Sequence, residues 1–296
     1  MSGQHAEERG GRGGSGSAVT TTTELPHLDI VPGENYGFFV DTSVCIGCKA
    51  CEVACKEWNQ LPDDGFSLSG RSFDNTLSLS STTWRHVEFI ERSEPLGRQE
   101  VGFDDPFSWL FHADSCKHCA VSGCLDNCPT GALVRTEFGS VMVQHDVCNG
   151  CGTCVVSCPF GVIDRHEVDG RAWKCTMCYD RLQSNMIPAC AQTCPTQSIR
   201  FGRLDDLREQ ADRRLTALHE RGVTSARLYG ADPDAQPGTQ GLHAFSLLLG
   251  EPEEYHLPPD PVAPVRTVMD GWKAMGRAMA VAAAGALIAG LAGRRS

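Results

Sequence analysis

The sequence predicts an α+β fold of two nested modules, each built around cysteine quartets, with an inserted β segment and a C-terminal transmembrane helix. Three observations predict it. The 16 cysteines of the 296-residue chain fall without remainder into four quartets: Cys45, Cys48, Cys51, Cys55; Cys116, Cys119, Cys124, Cys128; Cys148, Cys151, Cys154, Cys158; and Cys175, Cys178, Cys190, Cys194. Three quartets exit through the same phrase, CPTGALVR at 128–135, CPFGVIDR at 158–165 and CPTQSIRF at 194–201. Each phrase is a proline turn followed by a short apolar strand, so one supersecondary unit has been reused. Hairpin signals then separate the strands, Phe138-Gly139 between ALVRT and SVMVQ and Asp169-Gly170 before RAWKC.

Disulfides suit the quartets poorly. Cysteines two residues apart rarely reach bridging geometry, and a chain this long buries a core without staples. Zinc is the competing chemistry, but a tetrathiolate zinc site is usually built from two separated CxxC knuckles rather than one run of four. The run CxxCxxCxxxCP, present at Cys148 to Cys158 and, with Lys56 for the proline, at Cys45 to Cys55, is instead the ferredoxin pattern. In it three cysteines hold one [4Fe–4S] cube and the fourth reaches to a second. A two-residue gap curls successive thiolates around one cube and aims backbone N–H groups at sulfur. Gly47, Gly150 and Gly152 let the backbone approach closely. Pro129, Pro159 and Pro195 end the short helical turn that carries the last sulfur.

The modules nest within residues 35–203, as an α+β ferredoxin-like domain. The inner module spans Cys116 to Cys158, and the outer one pairs Cys45 to Cys55 with Cys175 to Cys194. Crossing of each fourth cysteine then predicts four [4Fe–4S] sets: cluster 1, Cys45, Cys48, Cys51 and Cys194; cluster 2, Cys55, Cys175, Cys178 and Cys190; cluster 3, Cys116, Cys119, Cys124 and Cys158; cluster 4, Cys128, Cys148, Cys151 and Cys154. The formal charge of −11 becomes about −19 if each oxidised cube with its thiolates adds about −2, which argues against a nucleic-acid partner. Lys117, Lys174 and Arg181 are candidate offsetting cations, and His118 is expected to be a loop residue rather than a ligand.

Outside the quartets, residues 1–34 lack an apolar leader core and are expected as a disordered tail. The insert at 59–115 carries a strand, TTWRHVEFIE, and a surface loop, SFDNTLSLSS. An extension at 204–256 holds a helix over 205–222 with Leu204, Leu207, Ala211, Leu215 and Leu218 on one stripe and Gly222 as its stop. A Pro-rich linker, 257–272, leads to a helix at 273–296. The 16 uncharged residues from Ala278 to Gly293 make about 24 Å of helix, and snorkelling of Arg277 lengthens the span toward the ~30 Å hydrocarbon core. Arg294 and Arg295 place the C-terminus in the cytoplasm by the positive-inside rule, hence the clusters on the outer face of the cell membrane.

CIGCKACEVACKEWN (45–59), the CxxCx4CxxxCP of the second quartet, CGTCVVSCPFGVI, KCTMCYDR with its gap to CAQTCPTQSI, EEYHLP (253–258) and the WKAM before the apolar tail resemble one family. It is the iron–sulfur (beta) subunit of membrane-bound formate dehydrogenases. The resemblance implies a non-catalytic electron-transfer subunit. Its partners would be a catalytic subunit with a molybdenum or tungsten bis-pterin centre and a cytochrome b membrane subunit that feeds quinone. It implies the same sixteen cysteine ligands. The same conductor role in a dimethyl sulfoxide or sulfur-compound reductase is the alternative. No Gly-rich phosphate loop or pterin-binding signature occurs in the chain.

The crossing rule has a direct test: Cys158→Ser is expected to damage the cube of Cys116, Cys119 and Cys124, visible as loss of one EPR-resolved cluster. Loss of the cube held by Cys148, Cys151 and Cys154 instead would refute it.

Overall fold

The computed structural model describes residues 29–66, 68–71, 73–92, 108–264, 271–273 and 275–283. Strand β1 (Tyr36–Asp41) is buried along its whole length because it is central in a four-stranded sheet. It pairs antiparallel with β8 (Ile199–Arg203), Tyr36 opposite Arg203, and parallel with β10 (Ala244–Leu248), Phe38 opposite Ala244. β9 (Arg227–Tyr229) completes the sheet beside β10. The pairing of β1 with β8 joins the strand that enters the first quartet to the strand that leaves the last, and so closes the outer module.

Side chains on β1 alternate between two cores, as a pleated strand requires. Phe39 faces one with Phe245, Leu247 and the buried stripe Leu204, Leu207, Ala211 and Leu218 of α6 (Leu204–Glu220). Tyr36, Phe38 and Val40 face the other, with Phe138, Met177 and Ile199. The 205–222 helix and its stripe are therefore found, with Leu215 only partly buried. Residues 204–256 supply two strands of the main sheet.

The insert forms a hairpin, β2 (Arg85–Arg92) with β3 (Ser108–Ser115), in register from Arg85 opposite Ser115 to Arg92 opposite Ser108. Val87 and Ala113 join the core of Tyr36 and Phe38. The SFDNTLSLSS stretch is not wholly a surface loop. Asp74 within it is buried, its carboxylate 2.8 Å from the Lys49 ammonium and 3.1 Å from the His86 ring, an attachment the polar sequence concealed.

Both expected hairpins form: β4 (Leu133–Arg135) with β5 (Val141–Val143) in the inner module, and β6 (Asp164–Arg165) with β7 (Ala172–Trp173) between Cys158 and Cys175. Leu133, Val141, Val143, Val162, Ile163 and Ala172 make one core together with cysteines from all four quartets. Short helices precede the closing cysteines: α2 (Gly123–Asp126), α3 (Thr153–Val156) and α5 (Ala189–Gln192). α1 (Ala50–Trp58) is longer, and α4 (Tyr179–Gln183) follows Cys178.

Two expectations need correction, and a third falls largely outside the described residues. The tail ends sooner than residue 34: residues 1–28 lie outside the described residues, whereas Ile30 N–H donates to Asn185 Oδ1 at 2.8 Å and Gly33 N–H to the Glu137 carbonyl at 2.8 Å. The linker is not free along its first half, since Leu257 and Ala263 are buried and Ala263 N–H bonds the Gly238 carbonyl. Apolar side chains within the proline-rich stretch cause that docking. The C-terminal segment is helical at 271–273 and 275–283, but among the described residues no helix is long and apolar enough to cross a membrane. Residues 284–296, most of the apolar run, lie outside the described residues.

Gly37 marks the tightest crossing in the sheet, where a Cβ would lie 2.1 Å from the His243 carbonyl oxygen, itself the acceptor for Phe38 N–H. Backbone blocks the methyl, so Gly37→Ala is expected to cost about 1–3 kcal/mol, read as a lower apparent Tm.

Candidate iron–sulfur sites

Each CxxC step has the same backbone device. The second residue between the first two cysteines of every quartet is left-handed: Gly47 (φ 65°), His118 (φ 44°), Gly150 (φ 73°) and Met177 (φ 62°). A left-handed residue there turns successive N–H groups toward one concavity, an anion-binding nest. The exit repeats in the same way, with Gly131, Gly161 and Gln197 left-handed three residues after Cys128, Cys158 and Cys194. Glycine made half of this legible from sequence. His118 and Met177 gave no local signal, because tertiary contacts hold them in place. His118 is buried with Nδ1 accepting from Val141 N–H at 3.0 Å, and burial drives its pKa well below the ordinary value, aided by the Lys174 charge. It lies in a loop, outside helix and strand.

The thiols are all free, and eight of them line two cavities in the combinations of the first and third crossed sets. One cavity is lined by Cys45, Cys48, Cys51 and Cys194, and another by Cys116, Cys119, Cys124 and Cys158. Burial raises the Cys55 pKa well above the ordinary thiol value, and Cys175, Cys190 and Cys178 push it the same way. Burial likewise lifts Cys154 to about 11, with Cys148, Cys128 and Cys151 adding to the rise. Neighbouring sets also feel one another. Cys190 raises the pKa of Cys51, Cys116 that of Cys175 and Cys154 that of Cys124, which links the first set to the second, the second to the third and the third to the fourth.

Exposure differs from set to set. Cys48 of the first set and Cys151 of the fourth are exposed, whereas all four cysteines of the second set are buried. Burial lifts Cys51, Cys124 and Cys178 to about 12. In the fourth set the Thr153 hydroxyl and N–H hold Cys151 below the ordinary value. Donors to sulfur include Met177 N–H to Cys175 at 3.3 Å, Ala172 N–H to Cys148 at 3.5 Å and Asn59 Nδ2 to Cys55 at 3.7 Å.

Cations enter from two sides. Lys174 is buried, with Nζ 3.5 Å from Cys116 Sγ. Arg85 on β2 is buried, donating to Cys190 Sγ at 3.4 Å. Sequence reasoning missed Arg85, although an arginine between Trp84 and His86 in a strand otherwise suited to burial was the available signal. Of the other two cations singled out from sequence, Lys117 pairs with Asp114, and Arg181 binds the Ile187 carbonyl and Gln192 while stacking on Trp58, Cζ 4.2 Å from the ring centre. Their charge goes elsewhere.

The donor set fits [4Fe–4S] clusters. A zinc ion draws four sulfurs to about 2.3 Å from one point. Among the described residues no three His, Cys, Asp or Glu side chains are gathered for a single ion. Cys45, Cys48, Cys51 and Cys194 instead line one cavity and Cys116, Cys119, Cys124 and Cys158 another, as a cube bound at its corners requires.

Ligation needs thiolates, and buried thiols held near 11 to 12 must surrender protons to supply them. Reconstitution of the apo-protein at pH 7 is therefore expected to release protons, seen with an indicator in weak buffer, and to become more favourable as pH rises. Absence of proton release would show that the thiols are already ionised.

Comparison with known proteins agrees with this geometry. Two family profiles, each described as a 4Fe-4S dicluster domain, match residues 107–204 and 44–132. The formate dehydrogenase iron-sulfur subunit of Haemophilus influenzae is 38% identical over 252 residues, 84% of this chain and 76% of the relative. The nitrate-inducible formate dehydrogenase iron-sulfur subunit of Escherichia coli K12 is 38% identical over 256 residues, 85% of this chain and 81% of the relative. A component polypeptide of the anaerobic dimethyl sulfoxide reductase of the same organism is 35% identical over 175 residues, but these cover 59% of this chain and 77% of the relative. Similarity to the first two runs beyond the cysteine quartets through most of the chain, and on that ground this protein belongs to the family of formate dehydrogenase iron–sulfur subunits.

Proposed function

We propose that this chain is the electron-transfer subunit of a formate dehydrogenase complex, and that it does not itself activate formate. In this reading its sixteen cysteines hold four clusters in the crossed sets. Electrons arrive from a catalytic subunit with a molybdenum or tungsten bis-pterin centre and leave to a cytochrome b membrane subunit and quinone. The observation that carries the reading is the lining of two cavities by cysteines distant in the chain, Cys45, Cys48 and Cys51 with Cys194, and Cys116, Cys119 and Cys124 with Cys158.

When bound, each [4Fe–4S] cluster accepts and passes one electron, so a series of them separates the electron pair that formate oxidation releases. The protein's part is electrostatic and steric. Left-handed loop residues aim N–H groups at the thiolates, which disperses negative charge. Burial of all four cysteines of the second set excludes water there, and the exposed Cys48 and Cys151 suit exchange with partners. Membrane attachment through the 273–296 helix, with the clusters on the outer face, belongs to the same proposal. Its support is the uncharged run from Ala278 to Gly293 and the flanking Arg294 and Arg295.

The complex isolated anaerobically in detergent is expected to show reduced [4Fe–4S] EPR signals on addition of formate alone. Signals that require dithionite would leave the clusters standing and assign the donor to another reaction, such as that of a dimethyl sulfoxide reductase.

A further inference from the structure

Two buried cations stand without the counter-ions that buried cations need. Arg85 is 2% exposed and donates from Nη1 to the Ala113 carbonyl at 2.9 Å and from Nη2 to Cys190 Sγ at 3.4 Å, with Phe38 stacked 5.0 Å from Cζ. Lys174 is 1% exposed, and its Nζ bonds the Val141 carbonyl, the Cys175 carbonyl at 2.9 Å and Cys116 Sγ at 3.5 Å. Three acceptors around Nζ match the three donors of an ammonium, and a guanidinium is charged at any working pH. Among the described residues neither cation is ion-paired with a carboxylate, whereas buried Lys117 has Asp114.

Their positions are specific. The sulfurs facing Arg85 belong to two sets, Cys51 of the first and Cys190, Cys175 and Cys55 of the second. Lys174 directly precedes Cys175 of the second set and touches Cys116 of the third. Each cation thus sits where two anionic clusters would be neighbours, one on either side of the fully buried second set.

We propose that Arg85 and Lys174 are the counter-charges of these two junctions, screening adjacent clusters from each other and raising the reduction potentials of the clusters they touch. The inference rests on the cluster reading above. A reduced cluster carries one more negative charge than an oxidised one, so a fixed cation in a low-dielectric site favours the reduced form. This also gives the inserted hairpin a task, since β2 delivers Arg85 from outside the repeated cysteine units.

The test uses the whole complex carrying Arg85→Met or Lys174→Met, compared with the unmodified complex by iron analysis and EPR-monitored redox titration. Iron content is expected to hold. The reduced-to-oxidised ratio of the flanking clusters at a fixed potential should fall at least tenfold, about 59 mV for a one-electron couple. The cluster of Cys128, Cys148, Cys151 and Cys154 should not move, and Arg85→Lys or Lys174→Arg should restore most of the shift. Should a methionine variant lose iron, Arg85→Gln and Lys174→Gln keep a donor without the charge. Unmoved potentials in those iron-replete variants would overturn the proposal while the cluster reading stood. Absence of [4Fe–4S] signals from the unmodified complex would overturn the cluster reading itself.

Discussion

Concentrated negative charge in a dry interior is the constraint on which the rest of this structure depends. Sixteen thiols are concentrated in one chain, and burial lifts several of them to about 11 or 12, so the bare protein resists the ionised state that iron requires. Most of the unusual local features reduce that resistance. Left-handed residues in every CxxC step point amide dipoles inward, and side-chain donors such as Asn59 and Thr153 reach individual sulfurs. Arg85 and Lys174 bring full positive charge to the interior.

The scaffold is arranged to make that interior dry. β1 and β8, from opposite ends of the cysteine region, pair along five residues and close the outer module. The hairpin β2–β3 adds apolar cover with Val87 and Ala113, and α6 seals the far side of the sheet through its leucine stripe. The inner module has only a short hairpin and one-turn helices of its own, so its core is shared with cysteines of all four quartets. Removal of any one layer would admit water to a thiol set.

How much could be read beforehand depended on how local the cause was. The reused exit phrase announced β4, β6 and β8, and the glycine turns announced the β4–β5 and β6–β7 hairpins, because proline and glycine act on their own backbone. The α6 stripe was legible by its period. Asp74 was not: a short acidic side chain in a polar stretch looks solvated until Lys49 and His86 are brought to it. The docked half of the proline-rich linker escaped for the same reason, since Leu257 and Ala263 find their cover only across the fold.

The sequence by itself determined the chemistry of the sites, because thiol spacing within eleven residues constrains which sulfurs can curl round one concavity. It also determined the family, through motifs that extend beyond the cysteines. Tertiary structure alone decided which thiols are buried and which exposed, and which of them Arg85 and Lys174 touch. Those properties arise from residues far apart in the chain, such as Arg85 and Cys190 or Lys174 and Cys116, whose proximity leaves no periodic or compositional trace.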